Sequence, residues 1–510
     1  MVLLAYLVVP PTFKFPVDDD WVYIQSVQKF LSGNFRVSEY ARASTFFQTI
    51  LGFIYSSIVG FSIPKIHFLV AIFSIIGVVV AYWHLRVNYK INSAYLPLIL
   101  FLNPLFFFLS YSFGTDVLFT VLLILSIAFY EYGLKSDKLR FLILGSIVAA
   151  CSICVRQIGA ALPAAALIYY LYLLRTKEQT LKISKMLAIT IPAGLGLIAY
   201  FAWFHFVQPP TIVQQMQSSH LSFNILTALD RWTQTLMYLG LLLPPVTILI
   251  FKPTKRSILK FVIGAVVAVF IAGVYWLKFG KLMFYTPALL TINGFAPNSI
   301  DGTKMFLFPH PLQLGVIATT LSVIGVALFV ANFKKRLDLE QIVALILVAF
   351  FPFMMVHCDR YYLPVVSLLT LSFGKYFVLN SNFSKICAAF VIAFFVGLNL
   401  IWIYEFKQWN EARWQLGQNL LRQKVNINEI DGGYEWDAWN LAEKHIGQDL
   451  DTRLGYDYFP KNPRYVISFR SWLTDSHLHL SEEKYCLLFN IKCDQLYLID
   501  TSVNTYPTNT

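Results

Sequence analysis

Charge is what this chain has least of. Asp, Glu, Lys and Arg make up 13% of its 510 residues, against 57% hydrophobic. A soluble globular domain carries about a quarter charged residues, so that class is excluded. Recognisable catalytic signatures are missing too: there is no HExxH, no Walker A, no GxGxxG after a strand and no zinc-spaced Cys/His set. The nine histidines are scattered, and only His357 lies near other candidate site residues. Six cysteines are too few and too dispersed for a disulfide scaffold. Cys151 and Cys154 have CxxC spacing but sit in an apolar stretch, where they read as small buried residues. Cys486 and Cys493 lie in a polar C-terminal region and could pair if that region is extracytoplasmic, although free buried cysteines would look the same. Met1 to Val9 has neither a basic n-region nor a small-residue cleavage site and is half the length of a span. It reads as the outer end of a first transmembrane helix that begins upstream.

What is present is a series of apolar runs. Hydropathy predicts spans at 62–84, 91–112, 115–133, 139–156, 158–174, 187–207, 233–251, 259–277, 311–332, 341–357, 361–379 and 386–404. The expected fold is an α-helical polytopic membrane protein with about 12–13 transmembrane helices. Its net charge of +12 is not pooled into one patch, so nucleic acid is not an expected partner. Basic residues alternate between loops instead. One set of loops holds Arg86/Lys90, Lys135/Lys138/Arg140, Arg175/Lys177/Lys182/Lys185, Lys252/Lys255/Arg256/Lys260, Lys334/Lys335/Arg336 and Lys375/Lys385, and the opposite set is sparse, with Arg156, Arg231, Lys278, Lys281, Lys304 and Arg360 between spans. The rich set belongs in the cytoplasm. An acidic loop at Asp18-Asp19-Asp20, Asp116, Arg156, Arg360 and the C-terminal tail then all fall on the extracytoplasmic face.

Two loop segments qualify that topology. Asp20 to Leu31 has helical apolar spacing, with Asp20 as a plausible N-cap and Gly33-Asn34 as the stop. Thr45 to Phe61 is nearly long enough to span, but Gln48, Thr49, Ser56 and Ser57 favour a helix lying in the membrane plane. Together they would form a shelf on the outer surface. The chain therefore divides into a transmembrane unit, 1–404, with its outer loop at 11–61, and a small extracytoplasmic α/β domain, 405–510. The second unit has strand-like runs at Tyr465–Phe469 and Leu496–Asp500 and a motif, DGGYEWDAW, at Asp431 to Trp439. The motif reads either as a sugar-stacking surface or as a domain core around a Gly-Gly turn.

Four stretches resemble one family. DDWVYIQSVQKFLSGNF (Asp19 to Phe35), NPLFFFLSYSFGTD (Asn103 to Asp116), VRQIGAALP (Val155 to Pro163) and DRYYLPV (Asp359 to Val365) occur in the order found in the GT-C glycosyltransferases. They are most similar to family-39-like enzymes related to protein O-mannosyltransferases, aminoarabinose transferases and bacterial lipopolysaccharide-core glycosyltransferases. One departure is Ala43-Ser44-Thr45, where the family often has Lys/Arg-Pro-Pro; Arg42 could replace that contact. The resemblance implies a GT-C-like fold in the inner membrane and a polyprenyl-phosphate-linked sugar donor. The acceptor would be a hydroxyl on a lipid, glycan or protein, and neither cofactor nor metal is required.

The residue types suit that chemistry. A carboxylate can take the proton of an attacking hydroxyl, and the resemblance assigns this to Asp19, with Asp20 beside it. The leaving group is already a phosphate, so arginines rather than a second acid are needed opposite. Arg156 and Arg360 are the candidates; otherwise they snorkel to lipid headgroups. Asp116 would orient the acceptor or serve only as an N-cap, and Tyr23, Tyr361 and His357 complete the expected substrate-binding set. One base without an opposing acid implies inversion at the sugar. The rival class is a polytopic transporter or lipid-linked-sugar flippase, but no internal repeat appears and the charges sit at loop ends.

Overall fold

Hydropathy dictates helices wherever the chain must bury its backbone in lipid, and helices dominate the computed structural model. The structure describes residues 2–211, 214, 224–285, 289–291, 294–296, 300, 311–333, 337–354, 357–377, 382–444, 460, 462–469, 477–486 and 492–504. Lys304 and the Lys334/Lys335/Arg336 cluster lie outside these. Among the described residues seven helices are long and apolar enough to cross a membrane: Ile63–Tyr89, Thr115–Ser136, Gln157–Arg175, Ile183–Phe206, Lys255–Phe279, Leu312–Asn332 and Ser384–Arg422. A pair bent by 68°, Ile225–Leu242 with Pro244–Ile250, forms either a broken eighth span or a re-entrant loop.

The other expected spans are helical but shorter or broken. The 91–112 stretch splits into Tyr95–Leu102 and Pro104–Leu109, because Pro104 cannot continue the first helix and the Asn103 side chain caps the second at Leu105 N, 3.1 Å away. Leu339–Phe350 starts from a capping box between Asp338 and Gln341 and gives way to a 3-10 turn at Phe351–Phe353, around Pro352. The last span runs past its expected end at Tyr404. One helix continues from Asn382 to Arg422, so the expected domain boundary falls inside it. Its added turns bury Trp409, Arg413 and Trp414 against the C-terminal region.

That region holds a four-stranded sheet. After a two-stranded ribbon, β1 (Leu290–Thr291) with β2 (Gly294–Phe295), the chain forms β3 (Ile430–Asp431), β4 (Tyr465–Phe469), β5 (His477–Cys486) and β6 (Cys493–Asn504) in the order β3-β4-β6-β5. β3 and β4 are parallel and the other pairs antiparallel. Cys486 and Cys493 face each other across β5 and β6 and are joined by a disulfide.

The helix Asp20–Leu31 keeps its expected bounds, and Gly33, at φ +84°, ends it. It is not a shelf open to the membrane surface. Most of its residues are buried, because the C-terminal helix Tyr434–Leu441 and its continuation cover it. Gln25 donates to Trp439 O at 3.3 Å, Tyr40 to Ala442 O at 3.3 Å, and Lys29 pairs with Glu443 at 3.0 Å.

Its N-terminus also differs from expectation. Asp19, not Asp20, occupies the cap position, while the Asp20 carboxylate turns inward as the anchor of the whole loop. One oxygen accepts from Val17 N at 2.7 Å; the other meets His67 Nε2 at 2.8 Å and accepts from Phe113 N at 3.0 Å. All three contacts are out of solvent, and the side chains of Asp20 and His67 are both 0% exposed. This stitches the acidic loop to the helix Ile63–Tyr89 and to the turn that precedes the helix Thr115–Ser136. Asp20→Ala is expected to leave each orphaned group at a cost of about 1–3 kcal/mol. The apparent melting temperature of the detergent-purified protein should fall accordingly, and Asp20→Asn, which keeps one acceptor oxygen, should lose less.

Candidate active site

The loop leading to the helix Asp20–Leu31 sends consecutive carboxylates in different directions. Asp18 takes a left-handed backbone conformation, φ +55°, which aspartate tolerates better than most residues. Asp18 and Asp19 thereby both reach Arg360, one on each terminal guanidinium nitrogen. Arg360 lies in the 3-10 turn Asp359–Tyr361 at the head of the helix Tyr362–Gly374. Asp359 fixes that turn from behind by accepting from Leu289 N and Leu290 N at 3.1 and 2.7 Å. The other oxygen of Asp19 accepts from the Tyr434 hydroxyl.

A second ion pair lies alongside. Arg156 donates to Asp116 at 2.7 Å and to Thr115 Oγ1 at 2.6 Å. The Tyr361 ring sits between the two guanidinium groups, 5.6 Å from Arg156 and 5.7 Å from Arg360. Arg42 is placed by the segment after it. Ser44 Oγ donates to Ile153 O at 2.9 Å and Thr45 N to Val155 O at 3.1 Å, clipping this strand to the turn that carries Arg156.

These groups border a cavity of about 820 Å³. Arg42, Arg156, Arg360, Tyr23 and Tyr361 contribute its polar wall. Gln157, Tyr200 and Gln214 add to it, and the rest is mostly apolar, with Ala161 and Ala164, Phe201 and Phe204, and Ile346 and Phe350 from three different helices and Phe353 from the turn after the last. Asp19, 13% exposed, stands behind Arg360.

The electrostatics separate the two acids. Burial, against the pull of Arg360 and with the charge of Asp19 adding to it, pushes the Asp18 carboxyl up to about 8. Burial also opposes charge on Asp19, but Arg360, Arg42 and the Tyr434 hydroxyl outweigh it and hold this carboxyl well below the usual range. The surroundings thus bias the two acids in opposite directions, Asp19 toward its ionised form and Asp18 toward its protonated one. Burial, with the Asp19 charge adding to it, keeps Tyr23 protonated.

Of the residues singled out in the sequence, Arg156, Arg360, Tyr23 and Tyr361 line the cavity, and Asp19 and Asp116 are bonded to its arginines. Two expectations are corrected. The partner of Asp19 on Arg360 is Asp18, because Asp20 spends its carboxylate on Val17, Phe113 and His67. His357 is not among the lining residues; its Nε2 meets the Tyr362 hydroxyl at 2.7 Å and its ring packs on Phe351. His67, which was passed over, is the histidine tied to the acidic loop. Tyr434 and Glu435 were also missed as site residues, although the motif containing them stood out; Glu435 Oε1 accepts from Asp18 N at 3.3 Å.

Sequence reading also missed a polar cluster at the other end of the helix Thr115–Ser136. Among the described residues, His84, Glu131 and Glu340 are buried together with a spacing that could suit a metal ion. The Lys375 ammonium already occupies this cluster, 2.7 Å from Glu340 and 3.0 Å from Asp338. From Asp116 to Glu131 is about 22 Å along the helix, so the cluster is separate from the cavity.

Residues 47–205 match the family model described as dolichyl-phosphate-mannose-protein mannosyltransferase. The match includes Asp116 and Arg156 but not the acidic loop or Arg360. No curated protein matches the chain. Two solved structures of ArnT from Cupriavidus metallidurans are similar. The apo state is 14% identical, covering 84% of this chain and 80% of that one, with a TM-score of 0.42. The state bound to undecaprenyl phosphate is 12% identical, covering 98% and 96%, with a TM-score of 0.43. Residues 47–205 of this multi-pass membrane chain are thus similar to the dolichyl-phosphate-mannose-protein mannosyltransferase family.

Proposed function

We propose that the protein transfers a sugar from a polyprenyl-phosphate donor to an acceptor hydroxyl, with inversion, on the extracytoplasmic face of the inner membrane. The observation that carries this reading is the cavity, where three arginines meet a long apolar wall beside an ionised aspartate. A polyprenyl phosphate has the same two parts. Its phosphate suits the forked donors of Arg156, Arg360 and Arg42, and its chain suits the aromatic and aliphatic lining. The donor named in the description of the matching family, a dolichyl-phosphate sugar, is of this class.

In the proposed step an acceptor oxygen attacks the anomeric carbon and its proton passes to Asp19. The bond from that carbon to the phosphate oxygen breaks, and its electron pair leaves on polyprenyl phosphate. The arginines stabilise the charge that develops there. Donor binding also prepares the base. As the phosphate takes guanidinium hydrogens from Arg360, Asp19 loses a partner that suppresses its basicity. Asp18, biased by burial toward its protonated form, adds less negative charge near the phosphate. The acceptor is a hydroxyl of a lipid, glycan or protein.

Purified protein in detergent, given a polyprenyl-phosphate sugar and a hydroxyl acceptor, tests the reading. Wild type should transfer, Asp19→Asn should be lower by about 10²-fold or more, and Asp18→Asn should lose much less. Full transfer by Asp19→Asn would remove that residue from the mechanism. Absence of transfer by the wild type with every polyprenyl-phosphate sugar tried would favour transport. Orientation has its own check. In a background lacking the free cysteines, a cysteine at the exposed Asn34 should react with a membrane-impermeant thiol reagent in intact cells or spheroplasts, and one at the exposed Thr254 should not. The reverse pattern would put the cavity on the cytoplasmic side.

A further inference from the structure

We propose that the C-terminal domain supplies a positioning residue to the catalytic centre: Tyr434, whose hydroxyl holds the Asp19 carboxylate in its reactive orientation. This rests on the function proposed above.

The motif that carries Tyr434 is built for its placement. Gly433 adopts φ +84°, a conformation that other residues take at a cost, and launches the helix Tyr434–Leu441 with the tyrosine as its first residue. Asp431 accepts from Gly433 N at 2.9 Å and Asp437 from Gly432 N at 3.1 Å, which fixes the turn. Trp436 packs so closely on Gly432 and Gly417 that an added Cβ would come within 2.4 and 2.5 Å of its side chain. Its ring also lies 4.9 Å from Trp414, and it is 1% exposed, so it is core and offers no sugar-stacking surface. Glu435 is held by Arg413 at 3.0 Å and accepts from the backbone of Asp18. Two adjacent residues of one turn therefore grip two adjacent residues of the acidic loop, more than 400 positions away in sequence.

The contact at Asp19 differs in kind from that at Asp18. Tyr434 and Arg360 take different oxygens of the Asp19 carboxylate, which fixes its plane and leaves lone pairs for an incoming hydroxyl. Once a donor phosphate draws on Arg360, the tyrosine is the contact that still orients the base. A hydrogen bond to the ionised form also favours that form. Its loss should therefore make Asp19 protonate at higher pH.

Tyr434→Phe removes the hydroxyl and keeps the ring. Measured with the transfer assay above, kcat should fall about tenfold, the effect of one lost hydrogen bond to a charged group, with the KM for donor within about twofold of wild type. The acid-side fall of activity should begin at higher pH than in wild type. Trp436→Phe, which loosens the same helix without touching Asp19, serves as the structural control. It should lower the melting temperature and leave the acid-side fall where it is. An unchanged kcat and pH profile in Tyr434→Phe, in an assay where wild type transfers and Asp19→Asn does not, would overturn this inference and leave the proposed function standing. A shift of the acid side in Trp436→Phe equal to that in Tyr434→Phe would overturn it as well, reducing Tyr434 to a support for the domain. Absence of transfer by the wild type overturns both readings together.

Discussion

The site depends on one guanidinium group. Arg360 is almost fully buried, and its two terminal nitrogens are committed to Asp18 and Asp19. Taking such a charge out of water is costly unless its partners are well placed, and removing one partner of a buried pair typically costs about 3–5 kcal/mol. The surroundings meet that demand from several directions. Asp359 pins the turn that carries the arginine, Asp20 pins the loop that carries the acids, and Tyr434 closes the far side of Asp19. A loop of mixed polarity is thereby held rigid beside a cavity that is mostly apolar. The same geometry puts charge where it is useful: positive at the cavity wall, negative one residue behind it.

Much of this was legible in the sequence. The apolar runs predicted the helices because lipid leaves the backbone no alternative. The alternation of basic loops put Asp19, Asp116, Arg156 and Arg360 at one end, and the structure gathers them there. The misses have specific causes. Which of three consecutive aspartates turns inward depends on the left-handed conformation at Asp18, and no periodicity encodes that. His67 lies in an apolar span and reads as an ordinary buried residue until the loop is folded against it. Tyr434 belongs to a motif that stood out for its aromatics and carboxylates, but its role is set by a contact across nearly the whole chain. The boundary at 404 was drawn where hydropathy falls, whereas the helix continues because its polar turns find partners in the C-terminal sheet region.

The two ends of the helix Thr115–Ser136 show two uses of buried charge. At the Asp116 end the ion pair borders a cavity that can admit a ligand. At the Glu131 end, Lys135 and Lys375 pair with Glu131, Glu340 and Asp338 within contact distance, and the Tyr89 hydroxyl bridges two of the acids. Elements distant in sequence are thereby joined at the end of this helix opposite the cavity. One cluster is closed on itself, and the other is open.

The unbroken helix Asn382–Arg422 sets a scale for the molecule. At 41 residues it is about 60 Å long, roughly twice the hydrocarbon thickness of a bilayer. Only part of it can lie in lipid; the polar turns beyond carry Trp409 against Phe469 of β4 and Trp414 against Trp436. The C-terminal region follows the last span through continuous helix and not through a loop. The length of one helix thus sets how far from the apolar spans the C-terminal region meets the acidic loop.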